Sequence, residues 1–159
     1  MVSSFKNLYI RSSKTKTIIM KKIFLSIILL GFLFSCESPK TVDVVEKYYQ
    51  DGTAKTIITY EISAKDSTAV SELQLHPNGA KKMEGAIVNG RREGEWISWH
   101  PDGSVWSTGR FEKGKREGES LIYYPNGQLY MKGSYLHGRK SGKWTVWDEN
   151  GEVLTKNEF

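Results

Sequence analysis

The sequence predicts an all-β fold, an elongated antiparallel meander of stacked β-hairpins. Glycines recur every 24 residues, at Gly79, Gly103, Gly127 and Gly151, and three further series (Gly85, Gly109, Gly133; Gly90, Gly114, Gly138; Gly94, Gly118, Gly142) keep the same register. Turn tetrapeptides recur with them: His76-Pro77-Asn78-Gly79, His100-Pro101-Asp102-Gly103, Tyr124-Pro125-Asn126-Gly127 and a degenerate Asp148-Glu149-Asn150-Gly151. No window holds apolar residues at i, i+3 and i+4 through three turns, the pattern a packed helix needs.

Before the repeats comes an expected export signal. Lys21 and Lys22 form a cationic start and Ile23 to Phe34 an apolar run of 12 residues. That is too short for a membrane span, which takes about 20, and fits a secretory signal peptide. Because such signals carry their lysines just behind the initiator, Met20 is the expected start, with residues 1–19 an extension. The run ends in Leu33-Phe34-Ser35-Cys36, which resembles the bacterial lipobox. That resemblance implies acylation of the Cys36 thiol, cleavage before Cys36 and acylation of the new amino terminus. Cys36 is the only cysteine, so an internal disulfide and a cysteine-built zinc site are excluded. The expected organisation is residues 1–35 as extension and signal-peptide helix, 36–44 as a lipidated tether and 45–159 as the repeat domain. Asp after the acylated cysteine retains enteric lipoproteins at the inner membrane. Here Glu37 follows, so an exported chain anchored at the outer membrane is favoured where there are two membranes.

Each repeat reads as a hairpin. Pro presets φ for the first turn position, Asn or Asp suits the second, and Gly takes the left-handed site. The flanks are short and rich in aromatic and β-branched residues, as in Trp96-Ile97-Ser98-Trp99 and Val105-Trp106-Ser107-Thr108. Alternation predicts one face for Val105, Ser107, Gly109 and Phe111, and likewise for Leu129, Met131, Gly133 and Tyr135. A glycine on an aromatic face suggests a ring lying over it. Gly90-Arg91-Arg92-Glu93-Gly94 and its equivalents read as a glycine-bounded polar turn. An earlier copy around Tyr48-Tyr49-Gln50-Asp51-Gly52 lies 27 residues before Gly79. The extra three residues are expected in the polar loop Ser63 to Ser67, where insertions are tolerated.

Gly109-Arg110-Phe111-Glu112-Lys113-Gly114-Lys115-Arg116-Glu117-Gly118-Glu119, repeated from Gly133 to Trp144, resembles the MORN repeat, and more closely its bacterial variant. The resemblance spans roughly residues 45–159. It implies one sheet of stacked hairpins, each advancing it by about 10 Å, and stability that accrues unit by unit. Bacterial chains of this kind are often labelled antitoxin- or immunity-like.

No catalytic constellation is visible, so no enzyme activity is expected and no cofactor or metal is called for. His76 and His100 are one repeat position, about 10 Å apart when stacked, too far to share a metal. Arg91, Arg92, Lys115, Arg116, Arg139 and Lys140 are expected to line one edge as an anion- or partner-binding row, close to one Debye length apart at 0.1 M salt. Glu93, Glu117 and Glu119 offset part of that charge. Trp106 and Tyr130 are expected to be exposed aromatic contacts.

The net charge of +5 at first suggests a nucleic-acid binder. It belongs to the signal: residues 1–35 hold six basic and no acidic side chains, and the rest holds 17 basic against 18 acidic. Nucleic acid is therefore not an expected partner. The expected function is a non-catalytic, membrane-anchored lipoprotein scaffold in the cell envelope, held by acyl chains on Cys36 and binding a protein. Toxin neutralisation and binding of envelope glycan or anionic lipid are the alternatives.

Overall fold

Ten strands joined in chain order form one antiparallel sheet in a computed structural model that describes residues 39–159. The expected signal-peptide helix, the start at Met20 and Cys36 lie outside the described residues. The strands are β1 (Lys40–Tyr48), β2 (Ala54–Ile62), β3 (Ser67–Leu75), β4 (Lys81–Val88), β5 (Arg91–Trp99), β6 (Val105–Glu112), β7 (Lys115–Tyr123), β8 (Leu129–Leu136), β9 (Arg139–Trp147) and β10 (Val153–Glu158). Each pairs only with its chain neighbours, the meander expected. Residues 40–44, placed in the tether by sequence, are strand: their alternation of Val42 and Val44 with Thr41 and Asp43 pairs with β2.

Two kinds of turn alternate along the chain. At the Pro-containing turns, Gly79 N–H donates to the His76 carbonyl (2.9 Å) and His76 N–H to the Ala80 carbonyl (2.8 Å). This is a type I turn closed by a glycine in the left-handed region, φ +81° at Gly79. Asn78 Oδ1 accepts from Ala80 N–H, and its amide nitrogen donates to the Pro101 carbonyl (2.9 Å), tying one turn to the next.

The other connections correct the sequence reading. The expected five-residue polar turn is a two-residue turn, Asn89-Gly90, with both φ positive (51° and 70°), repeated at Lys113-Gly114 and His137-Gly138. Arg91 to Glu93 already belong to β5. Asn-Gly is the familiar signal for this turn, but lysine and histidine carry no such preference, so the repeats hid it. Gly94, Gly118 and Gly142, also at positive φ, sit where pairing slips: Ala86 faces Glu93 while Gly85 faces Trp96, a bulge. The three-residue insertion falls where expected, with Ser63 N–H and Asp66 O bonded across the β2–β3 loop.

A second register slip changes the facing of side chains. Ser98 pairs with Ser107 but Trp99 with Val105, and Ile122 pairs with Met131 but Tyr123 with Leu129. The extra residue puts Val105 beside Trp99 and Leu129 beside Tyr123, away from the glycine face on which strict alternation placed them.

The sheet is a single layer, so its core is thin. Among the described residues only Ile87, Trp96 and Trp144 are buried apolar side chains. The two indoles lie flat on glycines of the preceding strand, Trp96 on Gly85 and Trp144 on Gly133. Phe111 meets Trp96 edge-on at 5.9 Å, and Tyr135 and Phe159 meet Trp144 at 5.1 and 6.4 Å. The middle unit has Ser120 in place of a tryptophan, and Arg116 reaches the space above Gly109.

Candidate ligand-binding edge

The basic pairs stand at the starts of β5, β7 and β9, directly after the two-residue turns. Neighbours in a strand point to opposite faces, so each pair is divided and the six cations do not form one row. Arg92 lies over the rings of Trp96 (4.1 Å) and Phe111 (5.6 Å), Arg116 over Phe111 (5.6 Å) and Tyr135 (5.3 Å), and Lys140 over Trp144 (4.5 Å) and Phe159 (5.0 Å). These three continue the aromatic stack as its cationic layers. Arg92 also pairs with Glu72 at 3.2 Å. Arg91, Lys115 and Arg139 remain exposed, the stems of Arg91 and Lys115 passing close to Gly114 and Gly138 of the next turn.

The acids near this edge have structural tasks that sequence reading missed. Glu93 accepts the N–H of Lys113 (2.8 Å) and Glu117 that of His137 (2.7 Å). Each carboxylate thereby holds the left-handed residue of the turn one unit further on. Glu119 pairs with Lys132 at 2.6 Å. The recurrence of Glu at positions 93 and 117 was the available signal, but a period alone does not tell a backbone ligand from a charge on the rim.

The histidines have an equally plain use. His76 Nε2 meets the Trp99 carbonyl at 3.0 Å and His100 Nε2 the Tyr123 carbonyl at 3.3 Å. In the flanking units tyrosine makes the same link: Tyr124 donates to the Trp147 carbonyl (3.0 Å) and Tyr49 to the Leu75 carbonyl (2.8 Å). Partial burial, foremost, raises the Tyr124 phenol above its ordinary value. A ring bearing a polar tip is what the position requires, and both residue types supply one.

Trp106 and Tyr130 are the residues added by the slips between β5 and β6 and between β7 and β8. Trp106 is 44% exposed, 6.4 Å from the His100 ring. Tyr130 is half-buried, packed edge-on against Tyr124 at 5.0 Å. The structure therefore leaves Trp106 the more open of the two.

Residues 92–113 and 116–137 match the family described as MORN repeat variant. The matches begin 24 residues apart, the interval of the glycine series. No curated protein matches the chain. Among solved structures, a Staphylococcus aureus TarM mutant in complex with fondaparinux, alpha-GlcNAc-glycerol and UDP is 16% identical, with a TM-score of 0.41, over 84% of this chain and 24% of that one. The chain thus spans about a quarter of the length of that protein. A Bacteroides fragilis protein of unknown function is 8% identical, with a TM-score of 0.23, over 77% of this chain and 94% of that one.

Proposed function

We propose that this chain is an exported, non-catalytic lipoprotein, anchored through acyl chains on Cys36, that serves as a protein-interaction scaffold in the cell envelope. The observation that carries the reading is the single-layer sheet, in which only Ile87, Trp96 and Trp144 are buried apolar side chains among the described residues. Such a sheet presents two broad faces, held in fixed register by links from each unit to the next, and suits contact with an extended partner. The functional groups that recur in it are engaged in those links: His76 and His100 on carbonyls, Glu93 and Glu117 on turn amides. The lipobox-like end of the apolar run supports the anchor, and several acyl chains, each at about 0.8 kcal/mol per buried CH₂, would make it stable. The outer membrane is the favoured location, since Glu37 follows Cys36. Palmitate labelling and membrane fractionation test the anchor: Cys36→Ala abolishes labelling and releases the protein, and a variant that still labels contradicts it. Crosslinking in intact cells tests the scaffold, which captures a specific protein. Capture of a toxin would assign the antitoxin-like function instead.

A further inference from the structure

The edge contains one basin in two versions, a unit apart. The first is lined by Arg91, Glu112, Lys113, Lys115, Glu117 and His137 and has a volume of about 260 Å³. The second is lined by Lys115, Leu136, His137, Arg139, Lys140 and Ser141 and has a volume of about 490 Å³. A shift of 24 residues carries five of the six lining residues of the first basin onto the second, where Arg91 becomes Lys115, Lys113 becomes His137, and Lys115 becomes Arg139. The same shift replaces both carboxylates, Glu112 by Leu136 and Glu117 by Ser141. The repeat keeps a basic residue at the positions of Arg91 and Lys115, puts His137 in place of Lys113, and loses both acids in the second basin.

We infer that the second basin binds a phosphomonoester carried on a small soluble body such as a sugar. The Lys115 ammonium and the Arg139 guanidinium, which share a face of the sheet, can clamp a dianion, with guanidinium and phosphate matched for paired hydrogen bonds. The Lys140 ammonium stays over the Trp144 and Phe159 rings on the other face. The Ser141 hydroxyl and the His137 ring add polar contacts, and Leu136, 53% exposed, offers an apolar wall to the body that carries the phosphate. None of the ion pairs among the described residues involves Lys115 or Arg139, so these two cations meet an incoming anion without giving up a carboxylate, whereas the His137 ring lies 3.6 Å from Glu117. In the first basin Glu112 and Glu117 would repel the same ligand. The inference does not depend on the scaffold reading.

Calorimetric titration of the full chain in nonionic detergent with glucose 1-phosphate tests it. Ser141→Glu restores the residue found at this position in the two preceding units, so the fold has precedent for it. It should weaken binding by about tenfold or more, roughly 1.4 kcal/mol, as should Lys115→Ala combined with Arg139→Ala. Arg91→Ala, in the acid-bearing basin only, should leave binding within about twofold by the same arithmetic. Absence of heat with glucose 1-phosphate would overturn the inference, as would a Ser141→Glu variant that binds normally. Binding confined to phosphatidic acid vesicles, with no response to the soluble ester, would also overturn it.

Discussion

The indole of Trp144 lies so close on Gly133 that a methyl group added there would overlap the ring. The same holds for Trp96 on Gly85, but Gly109, which pairs with Ser120, has only Ser120 and Arg116 within ordinary contact range. Gly85→Ala and Gly133→Ala should each destabilise the domain by about 1–3 kcal/mol through overpacking. Gly109→Ala should be neutral or stabilising by up to about 1 kcal/mol, since alanine loses less backbone freedom in a strand. Urea unfolding of the three variants checks this, and a Gly109→Ala cost equal to the others would contradict the packing account.

The position shared by Tyr49, His76, His100 and Tyr124 requires a ring with a polar tip. His100→Tyr should therefore be tolerated, while His100→Phe should cost about 1 kcal/mol for the lost hydrogen bond to the Tyr123 carbonyl. Denaturant midpoints of the two variants decide, and equal losses would show that the imidazole itself is needed.

Glu117 is predicted to matter more than Glu119. Removing its carboxylate leaves the His137 N–H without its 2.7 Å acceptor, and Glu117→Ala should cost about 1 kcal/mol after allowance for partial exposure. Glu119→Ala breaks an exposed pair with Lys132 and should stay within about 0.5 kcal/mol.

Lys113 holds φ at +50° in its turn, a conformation that disfavours most side chains. Lys113→Asn should stabilise the domain by up to about 1 kcal/mol, because asparagine is preferred there. Thermal unfolding midpoints measure it, and a lowered midpoint would contradict the turn assignment.

Asp102 and Asp51 titrate below their ordinary value of 3.8, Asp102 chiefly through the Ser104 hydroxyl and Asp51 chiefly through the Thr53 N–H. A carboxyl depressed on folding stabilises the native state above its unfolded value, and that stability is lost as the pH falls through the folded value. The two turns should therefore contribute fully above about pH 5 and loosen only below about pH 4. Carboxyl-carbon NMR titration would show it, and values at or above 3.8 would contradict these hydrogen bonds.

The fold could be read from sequence because the glycine period and the Pro-Asn-Gly turns are local chemistry. The meander, the ring over glycine and the site of the insertion all follow from it. Strand facing near Val105 and Leu129 could not, because a single unpaired residue reverses the alternation and leaves no mark in composition. The two-residue turns were masked by Lys113 and His137, which reach positive φ with the help of carboxylates 20 residues earlier in the chain. The candidate edge was half readable. The basic pairs were plain in the sequence, but their division between the two faces, with Arg92, Arg116 and Lys140 laid over rings, depends on exactly where each strand begins.

The most direct test of the scaffold account is site-specific photocrosslinking in living cells, with a photoreactive amino acid replacing exposed Trp106 in the chain that retains Cys36. The account predicts one discrete protein adduct in the membrane fraction, lost when Cys36→Ala releases the chain. Absence of any discrete adduct from the membrane-bound protein, at Trp106 and at a second exposed position such as Lys132, would contradict it.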